Sequence, residues 1–304
     1  MTNRDAFAGV IFALIAAVGF SAKAILIKLA YLDHVDAITL LALRMAFSVP
    51  FFVAVAIWVN RRHAVPLKQQ DWIAVVVLGL LGYYLSSFLD FLGLQYISAG
   101  LERLILFLYP TMTVILSALI YKRAIGRKVI AAMVLSYVGI LLVFVHDVGM
   151  GKGNGVLLGA ALVFASTFSY SSYLVGAGHA IARIGATRFT AYAMVVASFA
   201  SLLQLGVTHP LSALELPLRV YYLSIAMAIF STVLPVFLLS YAIRRIGSGN
   251  SSLIGSAGPV ATIALAYVFL HEEVSMLQIA GSSLVLAGVI VVSLNAGKTG
   301  KISP

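Results

Sequence analysis

Residues 97–145 read ISAGLERLILFLYPTMTVILSALIYKRAIGRKVIAAMVLSYVGILLVFV, and residues 246–294 read IGSGNSSLIGSAGPVATIALAYVFLHEEVSMLQIAGSSLVLAGVIVVSL. The two segments align without a gap at a shift of 149 residues, with twelve identities in 49 positions. Each copy contains two apolar runs, which are expected to be the last two spans of a five-span unit. A duplicated unit with an odd number of membrane spans sits in the bilayer in opposite orientations, an arrangement typical of alternating-access transporters.

Composition places the chain in a membrane. Hydrophobic residues make up 62% of the 304 residues, charged residues only 10%, and the mean hydropathy is +1.06. A water-soluble domain of this size needs more charge on its surface, whereas a bilayer accepts an apolar exterior. Apolar runs of about 18–25 residues predict ten spans. They lie near 6–31, 37–59, 72–94, 98–121, 128–145, 155–176, 187–207, 218–243, 250–271 and 276–294.

The basic residues predict the orientation. With the N-terminus inside, fourteen of the twenty Lys and Arg residues fall in connections on the inner side, and the outer connections keep only Lys152 and Arg219. This bias predicts a multi-pass protein of the cell (inner) membrane with both termini in the cytoplasm. The net charge of +10 is therefore a topology signal, and we expect no nucleic-acid partner.

The repeat predicts two units that share one bundle. Matches at the same shift extend back to Ala37/Ala186 and Phe88/Phe237, and a shift of 148 pairs Phe20 with Phe168. The expected units are 1–148 and 149–304, joined through residues 146–154, a connection too short for a flexible linker. At the shift of 148, Lys23 corresponds to about Ser171. The expected partners are a small-molecule substrate and the bilayer; a monomer fits, and a dimer is left open.

A group of charges within the first unit is the main candidate for a site. Lys23, Arg44, Asp90, Glu102 and Arg103 all lie inside apolar spans, where each needs a partner or a water-lined cavity. Their counterparts in the second unit are uncharged: about Ser171, then Ala193, Leu239, Ser251 and Ser252. Because the same backbone forms without these charges, they belong to something that only the first unit does.

Two interpretations of these charges stay open. They form ion pairs that join helices, such as Arg44 with Asp90 or Lys23 with Glu102. Alternatively, three bases facing two acids leave one positive charge for a substrate carboxylate, while an acid takes a substrate ammonium or a coupling proton.

Helix breakers and aromatic residues add further candidates. Pro110 and Pro259 lie mid-span at equivalent places, so both kinks are expected beside one central cavity. Gly255 and the small residues after it would let a ligand approach the backbone. Mid-span tyrosines, whose hydroxyls need partners, are further cavity candidates. They are Tyr83, Tyr84, Tyr109, Tyr170 and Tyr173.

No motif predicts an enzyme, a cofactor or a metal site. The six histidines lie in connections or at span ends without the H-E-x-x-H spacing, there is no cysteine, and no Walker loop indicates a nucleotide-driven pump. A membrane-embedded enzyme or receptor remains a remote alternative.

The segment from Gly255 through Pro259, Leu270-His271-Glu272-Glu273 and Gly281 to Gly288 resembles the repeat signature of EamA-type transporters in the drug/metabolite transporter superfamily. The resemblance covers essentially the whole chain and looks most like bacterial exporters of amino acids, among them the YddG-type aromatic amino-acid exporters. It implies an all-α membrane protein of ten transmembrane helices in two inverted five-helix repeats.

The resemblance also implies roles for individual spans. Spans three, four, eight and nine would surround a central cavity, spans one, two, six and seven would gate it, and spans five and ten would pack apart. Tyr83, Tyr84, Asp90, Glu102, Tyr109 and the region near Pro259 would then line the cavity, and Lys23 and Arg44 would lie at the gate. The first copy departs from the signature, with Lys122-Arg123 where the second has Glu272/Glu273 near its end. The implied function is export of amino acids or related small metabolites, with a facilitator or proton antiporter for drugs, organic cations or sugars as the alternative.

Overall fold

The computed structural model describes residues 3–62, 66–122, 124–149 and 153–299, and this part of the chain is helical with short connections. Arg123, Lys152 and Lys301, which enter the charge count above, lie outside the described residues. The helices are α1 (Asn3–Tyr31), α2 (Ala37–Arg62), α3 (Gln69–Gly93), α4 (Ala99–Leu106), α5 (Tyr109–Tyr121), α6 (Arg127–Asp147), α7 (Gly153–Ile184), α8 (Ala186–Thr208), α9 (Leu218–Ala228 continuing through Leu234–Gly255), α10 (Gly258–Leu270) and α11 (Met276–Thr299).

Length and hydropathy identify membrane-spanning helices within the described residues. Eight stretches are long and apolar enough to cross a bilayer, and the apolar stretches Gly258–Leu270 and Met276–Val292 are shorter. A helix satisfies its own backbone hydrogen bonds, which is what hydrocarbon demands of a spanning segment. The chain is thus an all-helical, multi-pass membrane protein. The predicted count of ten spans stays a prediction.

The two units deviate from regular helix at equivalent places. A π-helical segment covers Leu80–Leu85 in α3, and another covers Ile229–Val233 in α9, 149 residues later. Such segments insert a residue into the helical turn and change the direction of the side chains that follow. The left-handed residues that end α5 and α10, Lys122 (φ 52°) and His271 (φ 53°), are also 149 residues apart.

The helix breaks predicted at the two prolines are present. Two residues separate Leu106, the end of α4, from α5, and two separate Gly255, the end of α9, from α10. Pro110 and Pro259 are each the second residue of the new helix, where the missing N–H costs no hydrogen bond.

Helix packing is reciprocal between the units. The helix α1 packs on α9 and α10, and its counterpart α7 packs on α3, α4 and α5; α2 packs on α8, and α6 on α11. Ser21 Oγ donates to the carbonyl of Gly258 at 2.9 Å, and Ser171 Oγ donates to the carbonyl of Tyr109 at 3.2 Å. Each unit thus makes the same contact to the other, which indicates that an approximate two-fold axis relates the two units within the chain.

The register between α1 and α7 differs from the predicted one. A Cβ on Gly9 would lie 2.6 Å from Ile246, and a Cβ on Gly159 would lie 2.8 Å from Ile97. Ile97 and Ile246 are 149 residues apart, whereas Gly9 and Gly159, like Ser21 and Ser171, are 150 apart. The shift of 148 was wrong by two residues, because the first spans have diverged too far for one matching dipeptide to fix the alignment.

The helices α6 and α11 pack closely through glycine. A Cβ on Gly139 would lie 2.5 Å from the carbonyl oxygen of Gly281, and a Cβ on Gly281 would contact the carbonyl of Gly139. Small residues allow this backbone approach between membrane helices. The pair lies beside the rest of the bundle, as expected for the last span of each unit.

One connection expected between spans does not form a loop. Residues 244–249 continue the helix α9, whereas the first unit has a turn between α3 and α4. In that turn Ser98 caps α4: its Oγ accepts from Leu101 N at 3.1 Å, and its own N donates to Asp147 at 3.0 Å. The residue 149 positions later is Gly247, which has no side chain to accept such a bond.

Candidate functional site

A cavity of about 530 Å³ lies between the two units. Its lining comes from α1, α2, α3, α4, α7, α8 and α9 and from the first residue of α5; among the described residues, neither α6 nor α11 contributes. Its volume falls in the range of small-molecule sites.

Equivalent positions of the two units form facing walls of this cavity. At the shift of 149, six pairs of positions line it on both sides: Met45/Met194, Gly82/Ser231, Tyr83/Thr232, Ser87/Val236, Asp90/Leu239 and Leu106/Gly255. At the shift of 150 between α1 and α7, the pairs are Ala16/Ser166, Ala17/Thr167, Phe20/Tyr170 and Lys23/Tyr173. The cavity is therefore symmetric in position and asymmetric in chemistry, because the charges stand on one side only.

Lys23 is the centre of a buried charge cluster. Its Nζ lies 2.5 Å from Asp90 Oδ2 and 3.6 Å from Glu102 Oε1, so one ammonium serves two carboxylates. Asp90 is 1% exposed and Glu102 is fully buried. The predicted pairing of Lys23 with Glu102 is present, although Asp90 is the nearer partner.

Arg44 is held by different contacts. Its Nη2 donates to Ser87 Oγ at 3.0 Å, and its guanidinium lies over the ring of Phe91, 4.9 Å from the ring centroid. No carboxylate of the described residues lies within 4 Å of it, so the suggested Arg44–Asp90 ion pair does not form. A buried guanidinium without a carboxylate partner beside a cavity is suited to an anionic ligand.

Arg103 lies against the break between α9 and α10. A Cβ on Gly258 would come within 2.7 Å of Arg103 Nη2, so glycine leaves the space that this guanidinium occupies. The side chain lines the cavity, and its Nε has no hydrogen-bond partner among the described residues. Of the residues that the structure describes, three cations and one carboxylate thus face the cavity, with Glu102 behind Lys23.

Four tyrosines form an aromatic wall, which we call the tyrosine wall: Tyr83, Tyr109, Tyr170 and Tyr173. The hydroxyls of Tyr83 and Tyr173 lie 2.8 Å apart, and the rings of Tyr109 and Tyr170 meet edge to face at 5.7 Å. Gly82 permits this packing, because a Cβ there would contact the ring of Tyr173. The wall offers both π-faces and hydroxyl groups to a ligand.

The sequence-predicted residues divide into two groups. Nine of them line the cavity: Lys23, Arg44, Tyr83, Asp90, Arg103, Tyr109, Tyr170, Tyr173 and Gly255. Lys23 and Arg44 therefore lie at the cavity, and their expected role at a gate stays a prediction.

The other four predicted residues do not line the cavity. Tyr84 stacks on Phe88 with ring centroids 6.3 Å apart, and Glu102 lies behind Lys23. The Ser171 hydroxyl donates a hydrogen bond to the carbonyl of Tyr109, and Pro259 is buried at the start of α10.

Sequence reasoning missed most of the small hydroxyl residues of the lining. Thr190, Ser231 and Thr232 line the cavity from α8 and α9, and Ser166 and Thr167 line it from α7. Serine and threonine are ordinary in membrane helices, so their presence alone carried no signal. The π-helical segment that directs Ser231 and Thr232 inward leaves no mark in the periodicity.

The cavity extends toward one end of the bundle. Ala13, Thr190 and Ile243 line it near the end that holds the N-terminus of α1. The opposite end is closed by packed side chains, where Tyr31 OH donates to the carbonyl of Phe91 at 2.6 Å.

An ion pair joins the two units at each end of the bundle. Arg219 Nη1 lies 3.4 Å from Asp33 Oδ2 at the closed end, and Arg183 Nε lies 2.9 Å from Asp71 Oδ1 at the other. Each pair links the C-terminal end of a unit's first helix to the start of the other unit's third span.

Comparison with known proteins identifies the family. The model of the EamA-like transporter family matches residues 7–145 and again residues 157–294. This chain belongs to the EamA-like transporter family. The protein is therefore a membrane transporter, and the family and its named relatives are transporters rather than enzymes.

The relatives agree with this assignment. The uncharacterized transporter YcbK of Bacillus subtilis (strain 168) is 31% identical over 309 residues, covering 98% of this chain and 96% of its own length. The uncharacterized transporter YyaM of the same organism is 27% identical over 74% of each chain. An uncharacterized transporter of Archaeoglobus fulgidus is 24% identical, covering 84% of this chain and 88% of its own. One crystal structure of another protein superposes with a TM-score of 0.64 at 18% identity, over 96% of this chain and 99% of that chain, which shows a shared fold.

Proposed function

We propose that this EamA-family protein exports amino acids, aromatic ones among them, across the cell (inner) membrane by alternating access. The observation that carries the proposal is the set of groups facing one cavity: three cations, one carboxylate and the tyrosine wall.

These groups match the three parts of an amino acid. The guanidinium groups of Arg44 and Arg103 would bind the α-carboxylate, since guanidinium pairs well with a planar carboxylate. Asp90 would bind the α-ammonium group. The tyrosine wall would contact the side chain, and the apolar residues Phe20 and Phe107, which also line the cavity, add surface for an aromatic ring.

Ten spans in two inverted repeats are the topology that fits this mechanism. The apolar stretches Gly258–Leu270 and Met276–Val292 are shorter than the eight longer spans. The helices α10 and α11 that contain them occupy the places of α5 and α6 in the reciprocal packing, which supports counting them within spans nine and ten. The distribution of basic residues supports cytoplasmic termini. In that orientation the cavity opens to the cytoplasm, and the end holding the Asp33–Arg219 pair faces outward.

One chain contains the whole proposed site. The units 1–148 and 149–304 each supply one wall of the cavity, so a monomer is sufficient for transport. No cofactor is needed, because rocking of the units about the cavity exposes it to each side in turn.

A counterflow screen tests the function. Purified protein in liposomes, preloaded with each member of a panel of amino acids, organic cations and sugars, should exchange labelled amino acids best. Because no carboxylate in the described part of the chain lies within 4 Å of the Arg44 guanidinium, Arg44→Ala should raise the KM for an amino acid about tenfold or more. Tyr84→Phe is the control, since this residue lies outside the cavity. Exchange of organic cations or sugars with no exchange of amino acids would contradict the proposal in favour of a facilitator or antiporter for those solutes.

Cysteine labelling tests the topology, since the chain contains no cysteine. Leu32→Cys, in an exposed connection, should react with an impermeant maleimide added outside intact cells. Thr190→Cys, in the cavity and only partly buried, should react only from the cytoplasmic side. The opposite pattern would invert the proposed orientation and the direction in which the cavity opens.

A further inference from the structure

Glu102 is a carboxyl group that the proposed binding of an amino acid does not use. It is fully buried, it does not line the cavity, and no described N–H or O–H group donates to either of its oxygens. Its nearest cation is Lys23 Nζ at 3.6 Å, and that ammonium is closer to Asp90. The second unit places Ser251 at the equivalent position, so the fold does not require a carboxyl group there.

The charged groups near Glu102 come from several helices. Lys23 approaches from α1, Asp90 from α3, and Arg103 follows Glu102 on α4. At the first turn of α4, Asp147 accepts from Ser98 N and Glu272 accepts from Ala99 N. The side chain thus has two cations and three carboxylates nearby.

Asp90 and Glu102 share one ammonium group, with Lys23 Nζ 2.5 Å from Asp90 Oδ2 and 3.6 Å from Glu102 Oε1. Two buried carboxylates beside a single cation repel each other, and a proton on one of them removes that repulsion. Asp90 has the close ammonium contact, whereas neither oxygen of Glu102 receives a hydrogen bond from a described group. The arrangement therefore favours an Asp90–Lys23 ion pair beside a protonated Glu102.

We propose that Lys23 exchanges partners and couples substrate binding to release of the Glu102 proton. This inference rests on the proposed function. The ammonium group of a substrate takes the place of Lys23 at Asp90, and Lys23 moves the short distance to Glu102. The O–H bond of Glu102 breaks, its proton passes to water in the cavity, and the resulting carboxylate pairs with Lys23. One positive charge enters the cluster and one leaves, so the transporter is an antiporter of protons and ammonium-bearing substrates.

Proton release on binding tests the exchange. Calorimetric titration of purified protein with L-phenylalanine at pH 7, in two buffers of different ionisation enthalpy, should report release of about one proton per ligand bound. Phenethylamine keeps the ammonium group and should also release a proton. The compound 3-phenylpropionate keeps only the carboxylate, so its binding should release none.

Variants identify the source of the proton. Glu102→Gln keeps a neutral side chain of the same shape, so it should fold, bind L-phenylalanine and release almost no proton. Tyr84→Phe should release as much as the unmodified protein. In liposomes with equal pH on both sides, Glu102→Gln should still exchange phenylalanine. A pH gradient, however, should no longer drive this variant to accumulate phenylalanine against its concentration gradient.

Three outcomes would overturn the inference. If L-phenylalanine binds without proton release, the coupling is wrong while the proposed function stands. If Glu102→Gln still releases a proton, another group supplies it. If none of the three probes binds and counterflow finds no amino acid, the proposed function fails and the inference with it.

Discussion

The two units use one backbone plan for different chemistry. Both break a helix before a proline, both carry a π-helical segment, and both place a serine hydroxyl on a carbonyl of the other unit. At the cavity, however, the position equivalent to Asp90 holds Leu239, and the position equivalent to Lys23 holds Tyr173. The shared positions therefore maintain the fold, and the positions that differ are where function is to be sought.

The strongest test of this comparison replaces Asp90 of the first unit with leucine, the residue at the equivalent position, 239, of the second unit. Asp90→Leu removes the close partner of Lys23 and leaves only the more distant Glu102, so the free energy of unfolding should fall by about 1–3 kcal/mol. Counterflow of labelled amino acid should fall to background, and the melting temperature should drop clearly.

A double variant separates folding from function. Lys23→Tyr with Asp90→Leu reproduces the second unit's pair of Tyr173 and Leu239, so it should recover most of the lost stability but no transport. Full transport by Asp90→Leu alone would show that the asymmetric charges do not serve the substrate.

A second test concerns one glycine of the π-helical segment in α3. Gly82→Ala should destabilise the protein by about 1–3 kcal/mol, because the new methyl group would contact the ring of Tyr173. Gly178→Ala in α7 is the matched control: nothing lies within 4 Å of its Cβ, and alanine favours a helix by about 0.5–1 kcal/mol. Thermal melting of both variants checks this. Equal melting temperatures would mean that the tyrosine wall does not depend on this glycine.

The reciprocal serine bonds allow a finer comparison. Ser21→Ala and Ser171→Ala should each lower the free energy of unfolding by about 0.5–1.5 kcal/mol. The two losses should be similar, since each hydroxyl also donates to the carbonyl four residues earlier. The measurement is the melting temperature of each variant in the same detergent. A clearly larger loss for one of them would show that the two contacts between the units are not equivalent.

The smallest effects are expected at the two ends of the bundle. Arg219→Gln and Arg183→Gln remove cations whose side chains are 51% and 48% exposed, so each should change the unfolding free energy by less than about 1 kcal/mol. Melting temperatures in low and high salt should converge for variant and unmodified protein. A loss that persists in high salt would indicate a structural role beyond a surface ion pair.

Sequence patterns predicted the parts of this molecule that depend on periodicity. Apolar runs identified most helices, and the two prolines identified both breaks. The asymmetric charges identified Lys23, Arg44, Asp90 and Arg103, which do line the cavity.

Side-chain direction was not predictable in the same way. A one-residue insertion in a helix rotates everything after it by about 100°, and the sequence of Leu80–Leu85 gives no sign of such an insertion. Thus Tyr83 faces the cavity while its neighbour Tyr84 does not. The position of Glu102 behind Lys23 likewise depends on how three separate helices pack, which no single segment encodes.

The paired π-helical segments also bear on the origin of the chain. An extra residue at the same place in both units is most simply explained by an insertion that happened once, before the gene was doubled. The ancestor would then have been a short protein that already carried this irregular turn and paired with a copy of itself. Later substitutions could specialise one wall for charge because the other wall continued to provide the original framework.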